Sequence, residues 1–128
     1  MSDVLTLLTI DDEVSILGLH TTLFQKYGYR VLTATSGAEG IAILRNENVA
    51  VVIVDYQMPT LNGSQTARAI RLAYPMVPII MQSGISSLPI EATKDVDGFF
   101  AKGEPLKDLL AMVESLLGGR RMTATGRE

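Results

Sequence analysis

Runs of consecutive apolar residues alternate along this chain with stretches in which apolar residues recur every three or four positions. The continuous runs predict strands at residues 4–10, 29–35, 49–54, 77–82 and 98–101. The periodic stretches predict helices over residues 13–27, 36–48, 64–74, 86–95 and 105–117. The third strand is β-branched and apolar throughout, which suits a strand covered on both faces of a parallel sheet. The second strand is more polar and reads as an edge. In the first helix, Val14, Leu17, Phe24 and Tyr27 share one face, widened by Ile16, Leu19 and Leu23, and Gly28 closes it. His20, mid-helix with no second histidine in the chain, is expected at the surface.

Local signals punctuate the pattern. Ser36 and Glu39 have the spacing of a capping box at the start of the second helix. Pro75 stops the third. Pro89 falls inside the fourth, whose start is therefore poorly marked. Pro105 suits the first turn of the last helix, where Leu106, Leu109, Leu110, Val113, Leu116 and Leu117 form one apolar stripe. That stripe offers core packing first and a surface for dimers second; Gly118 and Gly119 end it. Strand and helix alternate five times, so the fold class is α/β, a doubly wound parallel sheet with helices on both faces.

The chain has 128 residues, the size of one domain. With no cysteine, disulfides and thiolate metal sites are excluded. No apolar run approaches the roughly 20 residues of a transmembrane helix, and an acid near the N-terminus argues against a signal peptide. We therefore expect a cytoplasmic protein with no membrane partner. Net charge is −3, unevenly spread. Residues 1–119 carry 8 Lys and Arg against 13 Asp and Glu, whereas 120–128 carry three Arg and one Glu. An acidic body argues against nucleic acid as a partner of this domain and suits a divalent cation or a basic protein.

The candidate chemistry lies at strand ends. In a parallel α/β sheet, the C-terminal ends of the strands open onto one edge, where ligands bind. Asp11 and Asp12 follow the first strand, Asp55 the third, Ser83 the fourth and Lys102 the fifth. Three carboxylates brought together repel, and their ionised state calls for a cation. Oxygen ligands without His or Cys suit Mg²⁺, with Mn²⁺ as the alternative. A cation, a lysine and a hydroxyl are the groups that stabilise phosphoryl oxygens, and a carboxylate among them can act as nucleophile.

The stretches "IDDE", "VDYQMPTLNG", "MQSG" and "FFAKG" resemble the receiver domain of two-component response regulators, over about residues 4–118. The resemblance implies a flavodoxin-like (βα)5 fold with strand order 2-1-3-4-5. It implies that Asp55 is the phosphoacceptor, and that Asp12, Asp55 and the backbone carbonyl of Gln57 bind Mg²⁺, with Asp11 acting through a metal-bound water. Ser83 and Lys102 would hold phosphoryl oxygens, and Ser83 and Phe99 would form the switch. The donor would be a phosphohistidine on a sensor histidine kinase or a histidine phosphotransfer protein. The target is not specified; monomer and phosphorylation-dependent dimer both fit. The side chain of Gln57, two positions past Asp55, is expected to affect the water that hydrolyses the phosphoryl group.

Two departures stand out. Gly103 follows Lys102 where the family usually has proline, and the segment from Ser83 to Lys102 is short by about one helical turn. A phosphatase of the haloacid dehalogenase type would need a second aspartate at Gln57, and an amide is no general acid. A flavodoxin-like cofactor carrier would set "DDE" against its phosphate. A receiver-like module that binds partners without phosphorylation stays open, as does a receiver cut from a longer regulator. Residues 1–119 are assigned to the receiver domain and 120–128 to a flexible tail or truncated linker.

Overall fold

The computed structural model describes residues 4–84 and 88–118; the tail assigned to 120–128, the expected helix start at Ser86 and the terminal Gly119 lie outside them. The elements run β1 (Thr6–Ile10), α1 (Val14–Lys26), β2 (Arg30–Ala34), α2 (Gly37–Asn46), β3 (Val51–Asp55), α3 (Gly63–Ala73), β4 (Ile79–Ser83), α4 (Ile90–Thr93), β5 (Gly98–Ala101) and α5 (Leu106–Leu117). The strands form one parallel sheet in the order β2-β1-β3-β4-β5, as the resemblance implies. The all-apolar or near-apolar strands β1, β3 and β4 are buried along their whole length, and the polar β2 lies at an edge.

Alternation along the strands builds two cores. Leu8, Ile10, Val52, Val54, Ile79 and Met81 face α2 and α3, meeting Leu44, Ala67 and Ile70. Leu7, Val51, Ile53, Ile80 and Phe100 face α1 and α5, meeting Phe24, Leu109, Val113 and Leu117. The stripe on α5 is thus spent largely on the chain's own sheet, with Leu106, Leu110 and Leu116 half-buried beside it.

The face of α1 differs from expectation. Leu17, His20 and Phe24 are buried, while Val14 is 70% exposed and Leu19 and Tyr27 are also exposed. Val14 sits in the first turn and Tyr27 caps the end, so neither reaches the sheet. His20 is 1% exposed, not at the surface. Its Nδ1 lies 2.7 Å from Thr9 Oγ1, a hydrogen bond that lets a neutral imidazole be buried at small cost. Burial holds His20 down at a pKa of about 4, helped by the charge of Lys102.

Caps also shift. Ser36 accepts from Glu39 N, but the Glu39 carboxylate turns to Thr35 N at 2.7 Å instead of completing the box at Ser36. A full capping box stands at α3, where Asn62 and Gln65 exchange bonds of 2.9 Å and start the helix at Gly63. The fourth helix is a single turn begun by Pro89, and Pro105 caps α5 from outside it.

Arg71 of α3 ties this short region down. It donates to the carbonyls of Pro75, Val77 and Asp95 and to Asp97 Oδ2, which also accepts from Ile79 N. Arg71→Ala should cost about 2 kcal/mol, since charge-assisted bonds at a half-buried site are lost together. Urea unfolding checks this; a change below about 0.5 kcal/mol, the range of an ordinary surface substitution, would contradict it.

Candidate functional site

The polar strand ends meet at the C-terminal edge of the sheet. Asp11 directly follows β1, its N–H bonded to Ala34 O at 3.0 Å, and its side chain is buried. Asp55 closes β3 and is 2% exposed. Asp12 is exposed at the rim. Carboxylate oxygens of Asp11, Asp12 and Asp55 lie within 4.8 Å of one another, which among the described residues marks the one group able to hold a metal ion.

Lys102 enters from the far side. Its backbone N–H donates to Ser83 O at 2.8 Å, continuing the pairing of β5 with β4. Its Nζ lies 3.1 Å from Asp55 Oδ1, 3.4 Å from Asp11 Oδ2 and 3.1 Å from Glu13 Oε1. Only the Glu13 contact has hydrogen-bond alignment; the two aspartates are paired to the ammonium by charge. Gly103 takes a φ of +98°, a turn open to glycine, so the lysine is positioned without the proline of the family pattern.

Electrostatics follow from this crowding. Burial pushes Asp55 up to about 6; the charges of Asp11 and Asp12 add to the rise, and Lys102 opposes it. Asp11 is also raised, chiefly by burial, against the Glu13 N–H that its Oδ1 accepts at 2.9 Å and against Lys102. Burial alone would lower Lys102, but Asp55, Glu13 and Asp11 outweigh it and raise it. Asp11 Oδ2 and Asp55 Oδ1 are buried without a hydrogen-bond partner. Three clustered carboxylates against one ammonium leave an excess of negative charge on hard oxygens, which a small divalent cation would balance. The residues present therefore fit such an ion.

The loop after Asp55 is pinned on both sides. Tyr56 N donates to Gln82 O and Gly63 N to Tyr56 O, each at 2.8 Å, and Met58 is buried in the core. Thr60 turns through a φ of +70°. Gln57, between these anchors, is exposed. A Cβ on Gly63 would come within 2.4 Å of Asp55 O, so the start of α3 packs directly on the end of β3.

Ser83 closes β4 and is fully buried. Alternation puts it on the sheet face of Met81, against which Phe99 pairs and packs half-buried. Phe99 thus shares a face with Ser83 and lies across the sheet from Phe100. The structure gathers Asp11, Asp12, Asp55 and Lys102. Sequence reasoning gave no task to Glu13, His20 or Gln82. Glu13 was visible as the third acid of "IDDE"; Gln82 was visible as one amide in an apolar strand; His20 carried no signal beyond its position.

Comparison with known proteins bears on the whole arrangement. Residues 7–114 match the family model of the response regulator receiver domain. The transcriptional regulatory protein GlrR of Escherichia coli (strain K12) is 35% identical over 95 residues, 74% of this chain and 21% of that protein. A receiver domain protein from Methanospirillum hungatei superposes with a TM-score of 0.86 at 24% identity, covering 94% of this chain and 98% of that one. The response regulator TrrA from Thermotoga maritima, solved in complex with Mg²⁺-BeF, gives 0.83 at 27% identity, with 88% and 98% covered. The chain spans about a fifth to a half of the length of the curated relatives it matches.

Proposed function

Because this chain belongs to the response regulator receiver domain family, we propose that it is switched by phosphorylation of Asp55 in a two-component signalling system. One observation carries the reading. A buried carboxylate stands 3.1 Å from the Lys102 ammonium, inside a cluster of three acids.

Asp12, Asp55 and the Gln57 carbonyl would hold Mg²⁺, with Asp11 acting through water. The ion supplies charge neutralisation for phosphoryl oxygens. The residues supply the rest. An Asp55 oxygen attacks phosphorus while the phosphorus–nitrogen bond of a donor phosphohistidine breaks and the imidazole leaves. Lys102 exchanges carboxylate contacts for a phosphoryl oxygen, and the Ser83 hydroxyl donates to another. The domain is a signalling element; its own catalysis is limited to this transfer and to self-dephosphorylation. The Gln57 side chain, exposed at the mouth, would modulate that second step.

Phosphorylation adds charge and acceptor oxygens at the sheet edge. Ser83 and Phe99 share one sheet face, so a shift of the first repacks the second and alters the surface of α4, β5 and α5. The upstream partner is a sensor histidine kinase or histidine phosphotransfer protein in the cytoplasm; the downstream partner is a protein.

Incubation with acetyl phosphate and Mg²⁺ should add one phosphoryl group, detected by intact mass, and chelation should prevent it. Labelling that persists after Asp55→Ala, or that is indifferent to chelation, would overturn the assignment.

A further inference from the structure

The pocket has a floor that the proposed chemistry does not use. Among the described residues, four buried side-chain atoms lack a hydrogen-bond partner: Asp11 Oδ2, Asp55 Oδ1, Gln82 Oε1 and His20 Nε2. They are not scattered. Asp55 and Gln82 are register partners on adjacent strands, so their side chains leave the same sheet face. Thr9, which bonds His20, precedes Asp11 by two residues and shares that face. Gln82 also pairs with Phe100, two residues before Lys102. Strand β4 lies between β5 and β3. Lys102 Nζ therefore reaches Asp55 and Asp11 across the end of β4, where Gln82 lies on the same sheet face.

We infer that Thr9, His20 and Gln82 form a neutral polar floor that positions Lys102 for the phosphoryl group, with Gln82 Oε1 as the internal acceptor for its ammonium. The inference rests on the receiver reading and adds positioning residues to it. An ammonium has three N–H donors, and here Glu13, Asp55 and Asp11 surround it. Once a cation and a phosphoryl group occupy the carboxylates, the lysine loses acceptors on Asp11 and Asp55. A neutral amide oxygen beneath it can accept without competing for the cation. His20, bonded to Thr9 and neutral because burial keeps its pKa near 4, extends the polar surface without adding charge beside the lysine. A buried polar atom with no partner costs stability, which gives Gln82 a measurable signature: an apolar replacement there should spare the fold and harm the chemistry.

Gln82→Met and His20→Leu test this in the full chain. The thermal midpoint of Gln82→Met should stay level or rise, that of His20→Leu should fall because buried Thr9 loses its partner, and the Mg²⁺ Kd by calorimetry should stay within about twofold of the parent in both. The initial rate of labelling by acetyl phosphate at saturating Mg²⁺ should fall by about fivefold or more. In a Lys102→Met background, Gln82→Met should give no further fall, because both act through one ammonium. Gln82→Asn, which keeps the amide, should recover part of the rate. A folded Gln82→Met that labels at the parental rate, a fall that multiplies with that of Lys102→Met, or a lowered midpoint in Gln82→Met would each overturn the inference. Labelling of the parent with an unmoved variant removes this inference alone; no labelling of the parent removes the receiver reading with it.

Discussion

Asp55→Asn is expected to abolish phosphoryl labelling and, without metal, to make the domain more stable. The first effect follows from the loss of the attacking oxygen. The second follows from burial and crowding. Asp55 titrates near 6 in the folded chain against 3.8 for its ordinary value, so folding disfavours its ionised form. At neutral pH that penalty is about 2–3 kcal/mol. Lys102 keeps Asp11 and Glu13 as partners in the variant, so little is lost in exchange. The sign with pH is set by the raised value. Above about 6 the penalty is full; as pH falls from 6 toward 4 the folded carboxyl takes up its proton first, and the parent gains on the variant. Urea unfolding in a chelator at pH 7 and near pH 4 should therefore show a gap that closes. Saturating Mg²⁺ should narrow it at pH 7, because the ion binds the folded parent more tightly. A variant less stable than the parent at pH 7 without metal would contradict the argument.

Gly63→Ala should be strongly destabilising, although it adds a single methyl. The added carbon would lie 2.4 Å from Asp55 O and 2.6 Å from Tyr56 Cα, both backbone atoms. No side-chain rotation relieves such a contact, so α3 or the end of β3 must move. Overpacking of this kind costs about 1–3 kcal/mol, a large part of the roughly 5–15 kcal/mol that holds a domain together. The displaced backbone is the one that carries Asp55, so the labelling rate of the remaining folded protein should fall by about tenfold or more. Gly18→Ala provides the contrast. Nothing lies within 4 Å of a Cβ there, and Gly18 is inside α1. That change should stabilise by about 0.5–1 kcal/mol. Equal effects of the two substitutions on the unfolding midpoint would show that the approach of α3 to β3 is not tight.

Much of this arrangement was legible before any coordinates, for physical reasons. A β-branched apolar run such as residues 49–54 suits a central strand, and Asp55 at the end of it is hard to explain by packing. The parallel architecture then dictates that strand-terminal polar groups share an edge, which brings Lys102 to Asp55 from 47 residues away in sequence. Element ends were less legible. Asn62 and Gln65 compete with Ser64 as a helix start, and only the reciprocal bonds decide. The α1 face was misread because hydropathy alone favoured Val14 and Tyr27 over His20. A histidine bonded to a buried threonine behaves as a core residue, and that partner is 11 residues away. Pattern reasoning has no access to such pairings.

Because alternation sends Asp55 and Lys102 to one side of the sheet and Phe99 to the other, the sheet works as a partition. Ser83, at the end of β4, lies on the Phe99 side of it. On the proposed function, substitutions on the Phe99 side should therefore alter the surface of α4, β5 and α5 while leaving the carboxylate cluster intact.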